Sequence, residues 1–490
     1  MELRPHQSEA KSQVYDAINR GERRIILQAP VGWGKTIWAA SIIQDIRSKY
    51  KRSIFCAPAI SLIDQTVDKL YQNDLRDIGV LQAQHPMTAP HRPIQVCSVQ
   101  TLQRREVPPA SCVFIDEAHM QFQFVNKWMS KPEWQDVPFI GMTATPWARG
   151  MGKHWSTLIR TSSMEELTDQ GWLKRIRYFQ PMGIDTTGIR MIRGDYHEGE
   201  LSKVSRGKAI LADTVEQWLR HGDNRPTIAF CVDRAHARDM QERFLAVGVP
   251  CEYIDANTDA EERAAIGRRM ESGQAKVTVS VGCLIAGLDW TFIGCILFSR
   301  KTKSHMLWVQ GIGRGVRQHP DYDDLILLDC AGNSELGHPY DIDFPYLDRG
   351  TKADKERKQR DAEEIREPKK CLECGAVRQA GVKACPECGF EPAQQSNVVE
   401  YNQQLVEDNR SGKEKMAEFL QEDLQEWYSS LLSIRDQRGY KQGWAANMFK
   451  DKFHCWPQDY DLHDAALDAP APIVSSWVKH KFIKYARRRK

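Results

Sequence analysis

The residues most able to do chemistry begin with Ala29-Pro30-Val31-Gly32-Trp33-Gly34-Lys35-Thr36, which follows an apolar run and opens a stretch of helical character. Gly32 and Gly34 let backbone N–H groups close around phosphate oxygens, and the start of the helix adds a favourable dipole. In such a loop Lys35 reaches the β- and γ-phosphates of a nucleoside triphosphate, and Thr36 offers a hydroxyl to Mg²⁺. Ala29 stands where the general pattern has its first glycine, so a fortuitous strand–turn–helix is the alternative at this point. A second cluster weighs against that alternative. Residues 113–119 read Val-Phe-Ile-Asp-Glu-Ala-His, an apolar strand ending in two carboxylates. Asp116 at the strand tip is placed to hold Mg²⁺ through water, and Glu117 to polarise an attacking water.

A third cluster lies far downstream. Cys371-x-x-Cys374 and Cys385-x-x-Cys388 are each followed by glycine, Gly375 and Gly389. Four thiolates at this spacing suit tetrahedral Zn²⁺ in a structural role, with a redox pair or an iron–sulfur site as alternatives. The other nine cysteines are scattered, several in apolar runs (Cys56, Cys112, Cys295), and read as small buried hydrophobes.

Elements must hold these groups in place. Short runs rich in Val, Ile and Phe at 25–29, 54–57, 94–99, 112–116 and 139–143 read as buried strands, with helices at 36–48 and 60–71. A less regular, glycine-punctuated stretch from about 150 to 206 precedes a second alternating block. There, strands are expected at 227–232, 251–255, 277–281, 295–299 and 325–329, and helices at 235–246 and 259–271. Alternation of this kind argues for parallel sheets covered by helices on both faces. The run 352–370 is almost all charge and reads as an exposed helix or solvated spacer. The last hundred residues look helical, with an apolar stripe through Leu420, Leu424, Trp427, Tyr428 and Leu431.

With 490 residues the chain is too long for one core, and a prior of about 150 residues per domain suggests about three. A net charge of +3 does not by itself announce a nucleic-acid binder. No apolar run is long enough to span a bilayer and the first residues carry no apolar signal core, so a cytoplasmic protein with no membrane partner is expected.

With both nucleotide motifs in hand, the chain resembles superfamily 2 helicases of the DEAH-box type from about Leu3 to His338. Leu3-Arg4-Pro5-His6-Gln7 is similar to the family's opening motif, whose glutamine reads the adenine edge. Ala57-Pro58 with Gln65, and Ser98-Val99-Gln100-Thr101-Leu102, resemble turns that touch the nucleic-acid backbone. Thr143-Ala144-Thr145-Pro146 matches the motif that couples hydrolysis to strand movement. Ile228-Ala229-Phe230 with His236-Ala237 resembles the opening of a second lobe. Ala286-Gly287-Leu288-Asp289 is similar to "E-G-x-D" with alanine for glutamate, which adds Gly287 and Asp289 to the nucleotide-contacting candidates. Gln310-Gly311-Ile312-Gly313-Arg314-Gly315-Val316-Arg317 matches "Q-x-x-G-R-G-x-R". The resemblance implies that Arg314 and Arg317 are arginine fingers, with Gln310 beside them in the catalytic set. Segments 328–333 with Gly337-His338, and Gly194-Asp195-Tyr196, resemble bacteriophage and prophage helicases. No nuclease motif is present.

The resemblance implies an α/β fold with two RecA-like parallel-sheet lobes in tandem, a small zinc ribbon and a C-terminal helical region. The expected boundaries are 1–155 for the first lobe, 156–206 for a connecting segment and 207–350 for the second lobe. A charged linker at 351–370, the ribbon at 371–390 and the helical region at 395–490 follow. ATP, Mg²⁺ and Zn²⁺ are the expected cofactors. DNA is the expected partner, with RNA as the rival, and replication or recombination proteins are candidate associates. The default state is a monomer in the cytoplasm, the host's if the chain is phage-encoded. A translocase that does not unwind, and a non-enzymatic nucleic-acid scaffold, are the other readings. The basic tail, with Lys479, Lys481, Lys484, Arg487, Arg488, Arg489 and Lys490 among Trp477, Phe482 and Tyr485, suits phosphate contact and base stacking. It equally suits a surface helix whose aromatics pack on the preceding helices.

Overall fold

A computed structural model describes residues 2–59, 61–180, 184–192, 195–282, 290–365, 368–391, 421–453, 455–471, 474, 475, 477, 478 and 481. The apolar runs become strands of two parallel sheets. The first contains β1 (Arg24–Gln28), β2 (Ser53–Ala57), β3 (Ile78–Leu81), β4 (Ile94–Ser98), β5 (Cys112–Asp116), β6 (Phe139–Thr143) and β7 (Thr157–Arg160). Their order is β3-β4-β2-β5-β6-β1-β7. Strands β2, β4 and β6 are buried along their whole length, as expected for a parallel sheet covered by helices on both faces.

The second sheet draws on β8 (Arg175–Phe179), β11 (Thr227–Phe230), β12 (Cys251–Ile254), β13 (Val277–Ser280), β14 (Cys295–Phe298) and β15 (Asp324–Asp329). Between β8 and β11 lies a separate hairpin of β9 (Met191–Ile192) and β10 (Asp195–Tyr196). The order β12-β13-β11-β14-β15-β8 is parallel throughout and is extended by β17 (Ala376–Arg378) and β16 (Lys369–Lys370), both antiparallel. The cysteine-rich unit is thus part of the second sheet. Cys371 and Cys385 belong to the same buried cluster as Val277, Leu297 and Leu328. The stretch read as a connecting segment supplies one strand to each sheet, β7 to the first and β8 to the second. The charged run forms the helix Lys352–Glu364 with no fully buried residue.

Seven of the nine scattered cysteines are buried, including Cys56, Cys112 and Cys295; Cys455 is half-buried and Cys283 lies outside the described residues. Among the described residues no helix is long and apolar enough to cross a membrane.

The described residues from Gln421 onward belong to a separate unit. Helices Gln421–Arg438 and Trp444–Phe453 pack through Leu424, Tyr428, Leu431 and Phe449. Trp477 stacks edge-on against Trp427 at 5.9 Å, and Lys481 is ion-paired with Asp451. These two tail residues are engaged by the preceding helices. The remaining tail residues singled out, like Leu420, lie outside the described set.

The buried histidines of the second lobe set an acid limit on stability. His236 is fully buried, its Nδ1 accepts the Val232 amide at 3.2 Å, and burial holds its pKa down to about 4. His338 is held down to about 3 by the same cause. In the unfolded chain each protonates near pH 6.5, so stability falls as pH drops below that value. His236 alone accounts for about 3 kcal/mol by pH 4, at about 1.4 kcal/mol per unit. Urea midpoints measured from pH 7 to pH 4.5 should fall, and His236→Asn should flatten the decline. A midpoint that holds constant over that range would contradict the burial argument.

Candidate nucleotide site between the lobes

Strands β5, β6 and β1 are neighbours, so the loops at their carboxyl ends converge. These carry Asp116-Glu117, Thr143–Pro146 and the phosphate loop respectively, on the edge where open parallel sheets bind ligands. Gly32 and Gly34 have φ of +83° and +95°, a region open to glycine and costly for other residues. The helix Lys35–Ser48 starts directly at Gly34.

One cavity of about 370 Å³ collects the candidates. Lobe 1 lines it with Gly32, Gly34, Lys35, Thr36, Asp116 and Glu117, and lobe 2 with Arg314 and Arg317. Five cations (Arg4, Lys35, Lys69, Arg314, Arg317) face two carboxylates, an excess of positive charge that suits a polyphosphate. Lys35 Nζ donates to the carbonyls of Ala29 and Pro30 at 3.3 and 3.4 Å. Burial pushes its pKa down, against the pull of Glu117 and Asp116. Burial, reinforced by the Glu117 charge, raises the Asp116 carboxyl above the usual carboxylate range. Burial also opposes the Glu117 charge, but a hydrogen bond from His119 and the charges of Lys35 and Arg314 outweigh it and hold Glu117 below the usual carboxylate range. Glu117 is therefore the member of the pair that stays ionised, available as a carboxylate. Thr36 and Asp116 offer the oxygens that a Mg²⁺ ion takes.

Glu117 sits at φ +47°, which costs a non-glycine residue about 1–3 kcal/mol. Its amide donates to Asp116 Oδ1 at 3.0 Å, and its carboxylate lies 3.3 Å from His119 Nδ1. His119 Nδ1 also meets Thr143 Oγ1 at 2.9 Å. From the other lobe, Gln310 Nε2 lies 3.2 Å from His119 Nε2 and donates to Thr145 Oγ1 at 2.9 Å. The strand-end carboxylate, the Thr143–Pro146 turn and the finger helix His305–Ile312 are thereby joined by side chains.

Gln7, for which the resemblance implies an adenine-reading role, has its side chain against the phosphate loop. Its Nε2 donates to Trp33 O at 2.8 Å and its Oε1 accepts the Arg4 amide at 3.0 Å, so the side chain braces the phosphate loop. Gln65 lines the nucleotide cavity. Gly287 and Asp289, with Ala286, lie outside the described residues. Several cavity residues, Leu62, Lys69 and Trp172 among them, were not singled out by any motif in the sequence. Leu62, Gln65 and Lys69 lie on one face of helix Ser61–Gln72, a spacing that could have revealed Lys69. Arg4 stacks over Trp172 at 4.3 Å at the cavity wall, and nothing local in the sequence marks Trp172.

The lobes touch at Gly313. A Cβ there would lie 2.6 Å from Val31 Cβ in the phosphate loop. Gly313→Val should overpack this contact at a cost of about 1–3 kcal/mol, roughly 5–150-fold in the closed population. ATP turnover should fall by that factor while affinity for a fluorescent ATP analogue changes little. Wild-type turnover by this variant would show that hydrolysis does not require the approach.

The four cysteines form a second candidate site. Their Sγ atoms lie within 4.8 Å of one another, with Cys371–Cys388 at 3.7 Å and Cys374–Cys385 at 3.6 Å. A disulfide needs about 2.05 Å, whereas four thiolates at about 2.3 Å around a tetrahedral ion are about 3.8 Å apart. Each pair sits in a matching knuckle: the amide of Gly375 donates to Cys371 O, and that of Gly389 to Cys385 O. The cluster can hold a metal ion. Glu387 in the second knuckle receives Arg175 at 2.9 Å and Arg177 at 2.6 Å from β8, fastening the unit to lobe 2.

The phage-like segments have structural positions. Buried Asp329 accepts Tyr178 Oη at 2.9 Å and the Gly332 amide at 3.0 Å. Asp195 accepts Thr302 Oγ1 at 2.7 Å and the Lys303 amide at 2.8 Å, bracing the loop before the finger helix.

Comparison with known proteins agrees with this arrangement. Residues 1–148 match the family model for the type III restriction enzyme res subunit, and residues 210–319 match the helicase conserved C-terminal domain; together they cover more than half of the chain. A Saccharomyces cerevisiae protein described as an ATP-dependent helicase, IRC3, is 25% identical over 361 residues, covering 68% of this chain and 52% of that protein. The chain thus spans about half the length of the yeast relative. A 51.5 kDa protein of a Lactococcus phage (isolate 7-9) is 24% identical over 376 residues, covering 75% of this chain and 78% of the phage protein. Among solved structures, a fragment assigned as the HsdR subunit of a Vibrio vulnificus YJ016 type I restriction enzyme shares the fold. Its TM-score is 0.54 at 18% identity, over 71% of this chain and 66% of that one.

Proposed function

Because the chain belongs to the superfamily 2 helicases, an ATP-dependent motor class, we propose that it couples ATP hydrolysis between its lobes to movement along DNA. The observation that carries this reading is the single cavity lined by Lys35, Asp116 and Glu117 from one lobe and Arg314 and Arg317 from the other. Lys35 and the loop amides bind the phosphates, and Thr36 and Asp116 hold Mg²⁺, which supplies charge neutralisation when bound. Glu117, kept ionised and oriented by His119, draws the proton of the attacking water. Arg314 and Arg317 neutralise charge on the γ-phosphate, and Gln310 reports their position to the Thr145 turn. The resemblance adds Gly287 and Asp289 as further candidates for nucleotide contact. Hydrolysis then depends on lobe approach, which is what lets one strand be gripped and released in turn.

The likeness of lobe 1 to a restriction-enzyme subunit favours DNA over RNA. The likeness to a phage protein over most of its length favours a phage or prophage setting, in which DNA replication or recombination is the proposed role. One chain carries both halves of the site, which favours a monomer. The cysteine cluster suits structural Zn²⁺: its four donors are all sulfur, the spacing is tetrahedral, and no ligand position is left for chemistry.

Strand displacement on DNA and RNA forks with 3′ or 5′ single-stranded tails tests the reading. ATP-dependent displacement of a DNA fork is expected. ATP turnover stimulated by DNA without displacement would point to a translocase that does not unwind, and selective displacement of RNA forks would overturn the DNA assignment.

A further inference from the structure

The segment that follows the arginine fingers crosses between the lobes twice. At residue 340 it lies on lobe 2, where Tyr340 Oη accepts the Ile176 amide of β8 at 3.0 Å. Three residues on it is held by lobe 1. Asp343 accepts Gln28 Nε2 at 2.9 Å, at the end of β1, and pairs with Arg160 of β7. Phe344 is 1% exposed and packs edge-on against two rings, Trp147 and His305, each with centroids 5.2 Å away. Trp147 directly follows Thr143–Pro146, and His305 is the first residue of the finger helix. The Asp348 carboxylate accepts the Gly150 amide at 3.3 Å, and its carbonyl accepts the Gly152 amide at 2.7 Å. From the charged helix Lys352–Glu364, Lys358 Nζ donates to Trp147 O at 2.7 Å. The chain then returns to lobe 2, where Ile365 packs against Gly337 and β17 pairs with β8.

We propose that Phe344 and Lys358 are positioning residues: they fix the Trp147 turn of lobe 1 against the finger helix of lobe 2. They do so as the middle of a strap over 341–365 whose far end is clasped to lobe 2 by the four-cysteine unit. The inference rests on the ATP-motor reading and deepens it. Neither side chain lines the nucleotide cavity, so ATP affinity does not depend on them. They act through Trp147 on the turn that Gln310 touches through Thr145. Parting the lobes stretches the strap or strips it from lobe 1, so the strap keeps the fingers within reach when no nucleic acid bridges the lobes. The charged helix and the cysteine unit thereby acquire a shared task, one reaching lobe 1 and the other anchoring on lobe 2.

The test uses the full chain with Lys358→Met, Phe344→Leu and, as the conservative variant, Lys358→Arg. Two readouts are followed: ATP turnover with and without single-stranded DNA, and hydrogen exchange of the Gly150 and Gly152 amides. With Lys358→Met and Phe344→Leu, DNA-free kcat should drop by about 5-fold or more, the size of a typical coupling between sites. KM for ATP should stay within about two-fold. The DNA-stimulated rate should stay close to wild type, because DNA restores the lobe approach, and the two amides should exchange faster. Lys358→Arg should keep DNA-free kcat and the exchange of both amides at wild-type values. Stripping the metal, verified by metal content, should also speed exchange at the two amides. Wild-type exchange and DNA-free kcat in both variants would overturn the strap. An equal fall in DNA-free and stimulated rates would also overturn it, by indicating general damage. Unchanged exchange after metal removal would overturn the clasp. A wild-type protein that hydrolyses no ATP would instead sink the motor reading and leave the exchange data to decide the strap.

Discussion

Lys35→Ala should lose ATP hydrolysis by a factor of at least about 10²–10³, the scale of removing one preorganised charge donor from a phosphoryl-transfer site. Lys35 is the cation seated inside the phosphate loop itself, within reach of the Ala29 and Pro30 carbonyls. Burial already works against its charge, and the Asp116 and Glu117 carboxylates sustain it. Without it those two carboxylates face each other with less compensation, which further favours protonation of Asp116 and weakens its hold on Mg²⁺. The loss therefore falls on phosphate binding and metal binding together. Lys35→Arg should recover little, because a planar guanidinium cannot replace a compact ammonium inside a closed loop. DNA binding should change little, since the effect is confined to the nucleotide cavity. Turnover measured beside DNA affinity checks both halves. Normal hydrolysis by Lys35→Ala would remove the loop from the mechanism.

Arg314→Ala and Arg317→Ala should each leave ATP binding within about ten-fold while cutting single-turnover hydrolysis, by about 10³–10⁵ for whichever meets the transferring phosphate. Arg314 is 7% exposed, and burial lowers the pKa of both guanidinium groups against the pull of Glu117. An arginine held this way has little hydration to lose when charge develops beside it, so its stabilisation is concentrated in the transition state. Wild-type single-turnover rates in both variants would show that lobe 2 takes no part in hydrolysis.

The sequence made the nucleotide half-sites legible because each is local. The glycine spacing before Lys35, and the apolar strand that ends in Asp116-Glu117, are each set within a few residues. The central strands were legible too, since full burial on both faces demands unbroken apolar runs, and those appear within two residues of their expected limits. Strands β7 and β8 were not. Thr157–Arg160 and Arg175–Phe179 mix charged and apolar residues because they lie toward the sheet margins, so they read as irregular linker. The docking of the cysteine unit was equally hidden, because β17 is three residues long and its partner β8 lies some two hundred positions earlier. Contacts between lobes leave no local trace. Gln310 meets Thr145 across 165 positions and Lys358 meets Trp147 across 211, and no periodicity encodes either pairing. The placement of Gln7 shows the converse: a motif glutamine was legible as a residue, but its contact with Trp33 O was not.

A motor of this kind hydrolyses ATP in response to nucleic acid, so the most direct test is the ATP turnover of the wild-type chain with and without single-stranded DNA at low and moderate salt. Turnover should rise on adding DNA, with half-saturation shifting steeply to higher DNA concentration as salt increases, as expected for a grip on the phosphate backbone. Turnover that is the same with and without DNA at both salts would contradict the motor reading.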